Sequence, residues 1–163
     1  MIFRSGVYEL DIDVDRTRQF YTNENYEFCT CAGCRNFSKA YSLLPEDVQR
    51  FFQQFGIHMG KPAEISAYNS VDGNSTFYGG FYHICGTVLT GKNPWQKTGK
   101  RTYSLDQRYA LNLTGDCSVF FTEECSLVEK DFPTPVIQME FQCSIPWVLE
   151  EPNPYYDPKL LHK

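Results

Sequence analysis

Between residues 135 and 149 the chain reads PVIQMEFQCSIPWVL. Ile137, Met139, Phe141, Cys143, Ile145 and Trp147 alternate with Gln138, Glu140, Gln142 and Ser144. Successive side chains of an extended strand point to opposite faces, so this period predicts a strand with one apolar and one polar face. A helix would scatter the same apolar residues around its whole circumference. The chain must therefore build a sheet, and other segments agree. TFYGGFYHICGTVL (76–89) is apolar on both faces, and its glycines mark a bulge or close packing. YELDIDV sets Tyr8, Leu10, Ile12 and Val14 against Glu9, Asp11 and Asp13, a strand with one wet face. AEISAYN leads through the turn signal Asp72-Gly73 into the long apolar run, and RYALNLTGDCSVFFT predicts a hairpin turning near Gly115-Asp116.

Helical spacing is confined to the first third. DRTRQFY predicts a short helix capped by Asp15. Cys34, Phe37, Tyr41 and Leu44 share one helical face; Pro45 ends that helix and starts another, with Glu46 and Asp47 suited to its first turn. Val48, Phe51, Phe52 and Phe55 form the second stripe, and Gly56 is a plausible stop. Early helices followed by strands indicate an α+β fold. The expected architecture is a twisted, mostly antiparallel sheet covered on one face by an N-terminal helical hairpin (34–56). A chain of 163 residues fits one domain, here 1–150. The Pro-rich segment EEPNPYYDPKLLHK (150–163), which contains the tail 151–163, is extended and either packs on the domain or hangs free.

Composition narrows the function classes. Net charge is −5, so the chain repels phosphate backbones and no nucleic-acid partner is expected. GKNPWQKTGKR (91–101) is basic around Trp95 and reads as a solvated loop. The opening MIFRSGVYELDIDVD lacks an apolar signal region, and no run approaches the length of a membrane span. A cytoplasmic protein with reduced thiols and no membrane partner is expected. Seven cysteines exclude a fully paired disulfide framework within one chain.

Three of those cysteines crowd into EFCTCAGC: Cys29, Cys31 and Cys34. Residues 26–30 read as a short strand, which places Cys29 and Cys31 on one side, and Cys34 follows at the first turn of a helix. Three sulfurs can thus meet at one point, and a structural zinc needs one more ligand. His83 or Cys85, two apart in YHICG, is the candidate fourth. A thiol-dependent enzyme or redox protein is the competing class. CAGC lies between a strand and a helix, where the helix N-terminus activates a thiol; Cys31 or Cys34 would be the nucleophile and His83 a base. The third reading is three buried thiols acting as small apolar side chains. The acids Glu9, Asp11, Asp13 and Asp15 lack calcium-loop spacing and read as a solvated face. There is no G-x-S-x-G, H-E-x-x-H or P-loop.

Taken together, CTCAGCRNF, LPEDVQRFFQQFGI, KPAEI, YGGFYHICG and FPTPVIQMEFQCSIPWVLEEP resemble an uncharacterised family of small bacterial cytosolic proteins. That family shares a C-x-C-x2-C-R-N-F opening, a G-G-F/W-Y-H strand and a closing I/L-P-W-V-L-E-E segment. The resemblance covers roughly residues 7 to 152 and implies one compact domain, but brings no established activity. It places Cys29, Cys31, Cys34, His83 and Trp147 in the family's most typical segments. The expected function is therefore binding: a small interaction protein with a structural zinc, docking a protein partner through aromatics at Trp95, Tyr155 and Tyr156.

Overall fold

A computed structural model describes residues 1–22, 26, 27, 29–114 and 116–162, with side chains to residue 160. In chain order the elements are β1 (Ile2–Ser5), β2 (Tyr8–Ile12), α1 (Val14–Tyr21), α2 (Ala32–Ala40), α3 (Glu46–Gln53), β3 (Glu64–Tyr68), β4 (Ser75–Thr90), β5 (Trp95–Lys97), β6 (Tyr103–Leu105), β7 (Leu111–Asn112), β8 (Ser118–Thr122) and β9 (Val136–Pro146). Seven strands form one sheet in the order β1-β2-β4-β9-β8-β7, with β3 also on β4; β5 and β6 form a separate ribbon. All seven strand pairings are antiparallel. The class is α+β, as the period-2 runs require. None of the described helices is long and apolar enough to cross a membrane.

The two runs most legible as strands pair with each other at the centre. Tyr78 lies opposite Cys143, Gly80 opposite Phe141, Tyr82 opposite Met139 and Ile84 opposite Ile137. These side chains share the face on which the helices pack. There Phe37 of α2 meets Tyr78 and Phe141, and Phe52 of α3 meets Tyr82 and Phe141, with ring centroids 5.4–6.1 Å apart. Phe37, Phe52, Tyr78, Tyr82 and Met139 are all buried. Aromatic stripes at helical spacing and aromatic alternation at strand spacing thus converge on one core.

The long strand β4 outruns any one neighbour. On the edge away from β9, its residues 77–81 pair with β3 and 86–90 with β2. Between them, among the described residues, no strand lies beside the backbone at His83 and Cys85, and α1 with its cap supplies the missing partners. The Tyr21 hydroxyl donates to His83 O and accepts from His83 N, both at 3.1 Å. Thr17 Oγ1 accepts from Cys85 N at 2.9 Å, and Asp13 N donates to Cys85 O at 2.8 Å. Buried backbone groups must be paired, and here side chains of a helix substitute for a strand. The cap of α1 is accordingly Asp13, which accepts from Arg16 N, rather than Asp15.

Behind α3 the chain turns back against α1 at Gly56, with φ +82°. A Cβ there would lie 2.5 Å from Val14 O and 2.9 Å from Arg18 N. Gly56→Ala is expected to destabilise by about 2 kcal/mol, the middle of the range for a strained φ. Differential scanning calorimetry should then show a melting point lower by about 4–8 °C.

Three further sequence expectations need correction. No strand forms at Tyr26, Glu27, Cys29 or Thr30, and Phe28 lies outside the described residues; α2 begins earlier, with Cys31 as its N-cap. The segment around Trp95 is not a bare solvated loop but the β5–β6 ribbon. Trp95 Nε1 donates to Glu140 on the polar face of β9, so that face is covered: Gln138 and Glu140 are buried. Finally, Cys117 and Cys143 are not free thiols. They face one another one step past the Ser118–Gln142 pair, with Cα atoms 4.2 Å apart, and are joined by a disulfide. The hairpin of β7 and β8 forms as read, while its expected turn residue Gly115 lies outside the described residues.

Candidate functional site

The sulfurs of Cys29, Cys31 and Cys34 lie within 4.8 Å of one another. Local geometry explains why. Cys31 is the N-cap of α2, in extended conformation, and its Sγ accepts from Cys34 N at 3.4 Å. A thiol sulfur here does what a serine or aspartate oxygen usually does at a helix start. Cys29 Sγ in turn accepts from Cys31 N at 3.5 Å, which folds the lead-in segment over the helix end. Cys29 and Cys31 are exposed and Cys34 is buried. The Cys34 N–H, and the neighbouring thiols with it, hold the Cys31 thiol below its ordinary pKa. Burial, reinforced by the other two sulfurs, pushes Cys34 up to about 12.

The start of α2 is anchored from both sides. Asn36, fully buried, donates from Nδ2 to Tyr78 Oη (3.1 Å) and Pro146 O (3.0 Å) and accepts from Val148 N (2.8 Å). The Tyr78 hydroxyl donates to Gly33 O at 3.0 Å. At Gly33 a Cβ would sit 2.7 Å from the Tyr155 hydroxyl and 2.9 Å from the Ala67 Cβ, so only glycine lets α2 approach this closely. Arg35 is ion-paired with Glu151, whose carbonyl accepts from Trp147 Nε1 at 2.8 Å. Asn153 and Tyr155 bond back to Ser75, Thr76 and Ser70, so the tail packs along this end of the molecule.

Such a group of three sulfurs could hold a metal ion. Zinc with bonds of about 2.3 Å in a tetrahedron spaces its sulfurs about 3.8 Å apart, within reach of small rotations of the exposed Cys29 and Cys31. Among the described residues no fourth cysteine, histidine or carboxylate joins the group. His83 and Cys85 stand apart from it. His83 is five residues further along β4 than Tyr78, about 17 Å at strand rise, and on the opposite face. Its Nε2 is 2.9 Å from Ser126 O, its ring packs between Phe81 and Phe132, and burial holds its pKa below the usual value. That is a satisfied core histidine, not a base for Cys31. Cys85 is buried on the same face, with its pKa raised by burial.

The three aromatics chosen for partner docking are also placed apart. Trp95 is half-buried against Glu140, Tyr155 is half-buried beside the cysteines and Trp147, and Tyr156 is exposed.

The polar face of the sheet carries a cleft that sequence reading missed. Its cavity of about 880 Å³ lies between β3, the centre of β4 and β9, and the β5–β6 ribbon. Glu140, 4% exposed, lines it and has its pKa raised by burial. The available signal was the glutamate between two glutamines in an otherwise apolar strand; its cover came from forty residues away and left no local mark. Comparison with protein-family models, with curated proteins and with solved structures finds no match to the chain.

Proposed function

We propose that this is a binding protein in which Cys29, Cys31 and Cys34 hold one zinc ion, with a water or a group from a partner protein as fourth ligand. The observation that carries this reading is the gathering of the three sulfurs within 4.8 Å at the start of α2. The ion would staple the segment before α2 to the helix. In this reading α2 and α3 act as a two-helix cover for the core face, held in register by the metal. A partner would approach on the side where Cys29 and Cys31 are exposed, next to Tyr155 and Tyr156.

Metal analysis of untagged protein tests it, alongside a count of rapidly alkylated thiols. The expected result is about one zinc per chain, protection of all three cysteines, and zinc affinity lowered about tenfold or more by Cys31→Ser. A protein that neither carries zinc nor takes it up from a competing chelator overturns it.

A second reading rests on the asymmetry of the pair: Cys31 is exposed at the helix N-terminus and Cys34 lies buried behind it. That suits exchange with a partner disulfide. The Cys31 thiolate would attack one partner sulfur and expel the other as a thiolate. Cys34, giving its proton to solvent, would then attack Cys31 and release the first partner sulfur. The chain is left with a Cys31–Cys34 disulfide, and the partner gains two electrons. Zinc-free protein with one fast-alkylating thiol at Cys31 and stoichiometric reduction of oxidised glutathione would favour this second reading over the first.

A further inference from the structure

We propose that the cleft on the polar face binds a small organic cation, an ammonium or guanidinium group on an apolar or aromatic body, with Glu140 as its counter-ion.

The argument begins with strand register. Odd residues of β4 and even residues of β9 point away from the helices, and register brings Glu64, Phe81, Glu140 and Phe120 into one row across β3, β4, β9 and β8. The row carries a carboxylate, a ring, a carboxylate and a ring. The β5–β6 ribbon then leans over it. Trp95 Nε1 (3.2 Å) and Gln138 Nε2 (2.5 Å) both donate to Glu140 Oε1. Gln107 Nε2, two residues past the Leu105 that pairs with Trp95, donates to Gln142 Oε1 at 3.1 Å and ties the same end of the ribbon to β9. What remains between ribbon and β3 is the cavity, inside the size range of small-molecule sites.

Charge selects the ligand. Among the described residues three carboxylates line the cleft, Glu64, Glu124 and Glu140, and no lysine, arginine or histidine does. Glu140 is the decisive one. It has no ion pair among the described residues, and the hydrogen bonds it accepts there fall on Oε1; Oε2 is not among the fully enclosed atoms left without a partner, so it opens to the cleft. Burying a carboxylate is costly unless a cation or several donors compensate it. Two neutral donors on Oε1 hold the group in place and leave Oε2 for a third. The walls fit the same ligand: Trp95, Phe81, Tyr68 and Tyr103 offer ring faces and edges for an aliphatic or aromatic body, and aromatic faces also attract cations. A phosphate or carboxylate ligand would meet three like charges and no donor cation.

Three probes test this by calorimetric and NMR titration near pH 8: agmatine, putrescine and 2-phenylethylamine, the last two beside their uncharged forms, N,N′-diacetylputrescine and N-acetyl-2-phenylethylamine. At least one charged probe is expected to bind, with amide shifts centred on β9, β4 and the ribbon. Glu140→Gln keeps the shape and removes the charge. It should weaken binding about tenfold or more, the range for a hydrogen bond to a charged group. It should fold at least as stably as the parent, since it relieves an uncompensated charge. Glu64→Gln, at an exposed position, is the second variant and should weaken binding less. Affinity should fall as pH drops toward 5, because burial raises the Glu140 pKa and protonation removes the counter-ion. Glu64, Glu124 and Cys125 also face the cleft, and no basic group there opposes the trend. The proposal is overturned if no charged probe binds at millimolar concentration or if Glu140→Gln binds equally well. It also fails if diacetylated putrescine or acetylated phenylethylamine matches the free amine, or if a lysine- or arginine-bearing peptide is strongly preferred over every free cation.

Discussion

Asn36→Ala lowers the stability of the fold by about 3 kcal/mol, at the high end for one polar side chain. The reason is the number of groups it orphans. The Tyr78 hydroxyl, the Pro146 carbonyl and the Val148 N–H all lose a partner at once. Each such loss costs about 1–3 kcal/mol when the group stays dry, and the Pro146 and Val148 bonds lie where solvent gives partial relief. Urea unfolding measures it, and the melting point should fall by about 6–12 °C. The lesion has a functional side as well. Asn36 sits one turn beyond Cys31 and ties α2 to the chain leaving β9, so the variant should also bind zinc more weakly than the parent at temperatures where both are folded. A loss under about 1 kcal/mol would mean that the turn after β9 does not depend on α2.

Phe52→Ala is expected to cost more, about 3–5 kcal/mol, the range for truncating a fully buried aromatic side chain. Phe52 is 2% exposed and meets the rings of Phe51, Tyr82 and Phe141. Its removal leaves a void between α3 and the middle of the sheet that rigid strands cannot close. The matched control is Leu43→Ala, where the parent side chain is 59% exposed and the loss should stay within about 0.5 kcal/mol. Chemical denaturation of the pair compares truncation of a buried side chain with truncation of an exposed one. Similar losses in the two variants would contradict the packing described at Phe52.

These residues also show what can be read from the linear chain. Phe52 and Phe141 were visible in advance because each belongs to a local period, 3.6 in one case and 2 in the other. Period assigns a side chain to a face; it does not say what covers that face. Glu140 therefore read only as one residue of a polar face, and the ribbon carrying Trp95 makes it a buried carboxylate. The same limit explains His83. Alternation put it with Cys85 on one side of β4, but the strand's length carries both well away from α2. Thr17 and Tyr21 were unremarkable in a short polar helix, because their role is set by a gap in another element's edge. The gathering of Cys29, Cys31 and Cys34 was legible, since six residues of chain cannot spread three sulfurs far. The pairing of Cys117 with Cys143 was not, because it follows from the register of β8 on β9, which is settled only in the folded sheet.

The pairing of β4 with β9 has a consequence for how the molecule is made. The two central strands join residues 75–85 to residues 136–146, and most of the chain lies on or before the loop they close. During synthesis α2, α3 and β4 leave the ribosome while Met139 and Phe141, the other half of their packing surface, do not yet exist. Phe37, Phe52 and Tyr82 stay without their full set of neighbours until then. Such non-local closure makes folding slow relative to helical bundles and leaves aromatic surface open to wrong partners in the interval. Rare codons, or a pause placed between residues 90 and 136, should therefore lower the yield of folded protein, and faster completion of β9 should raise it.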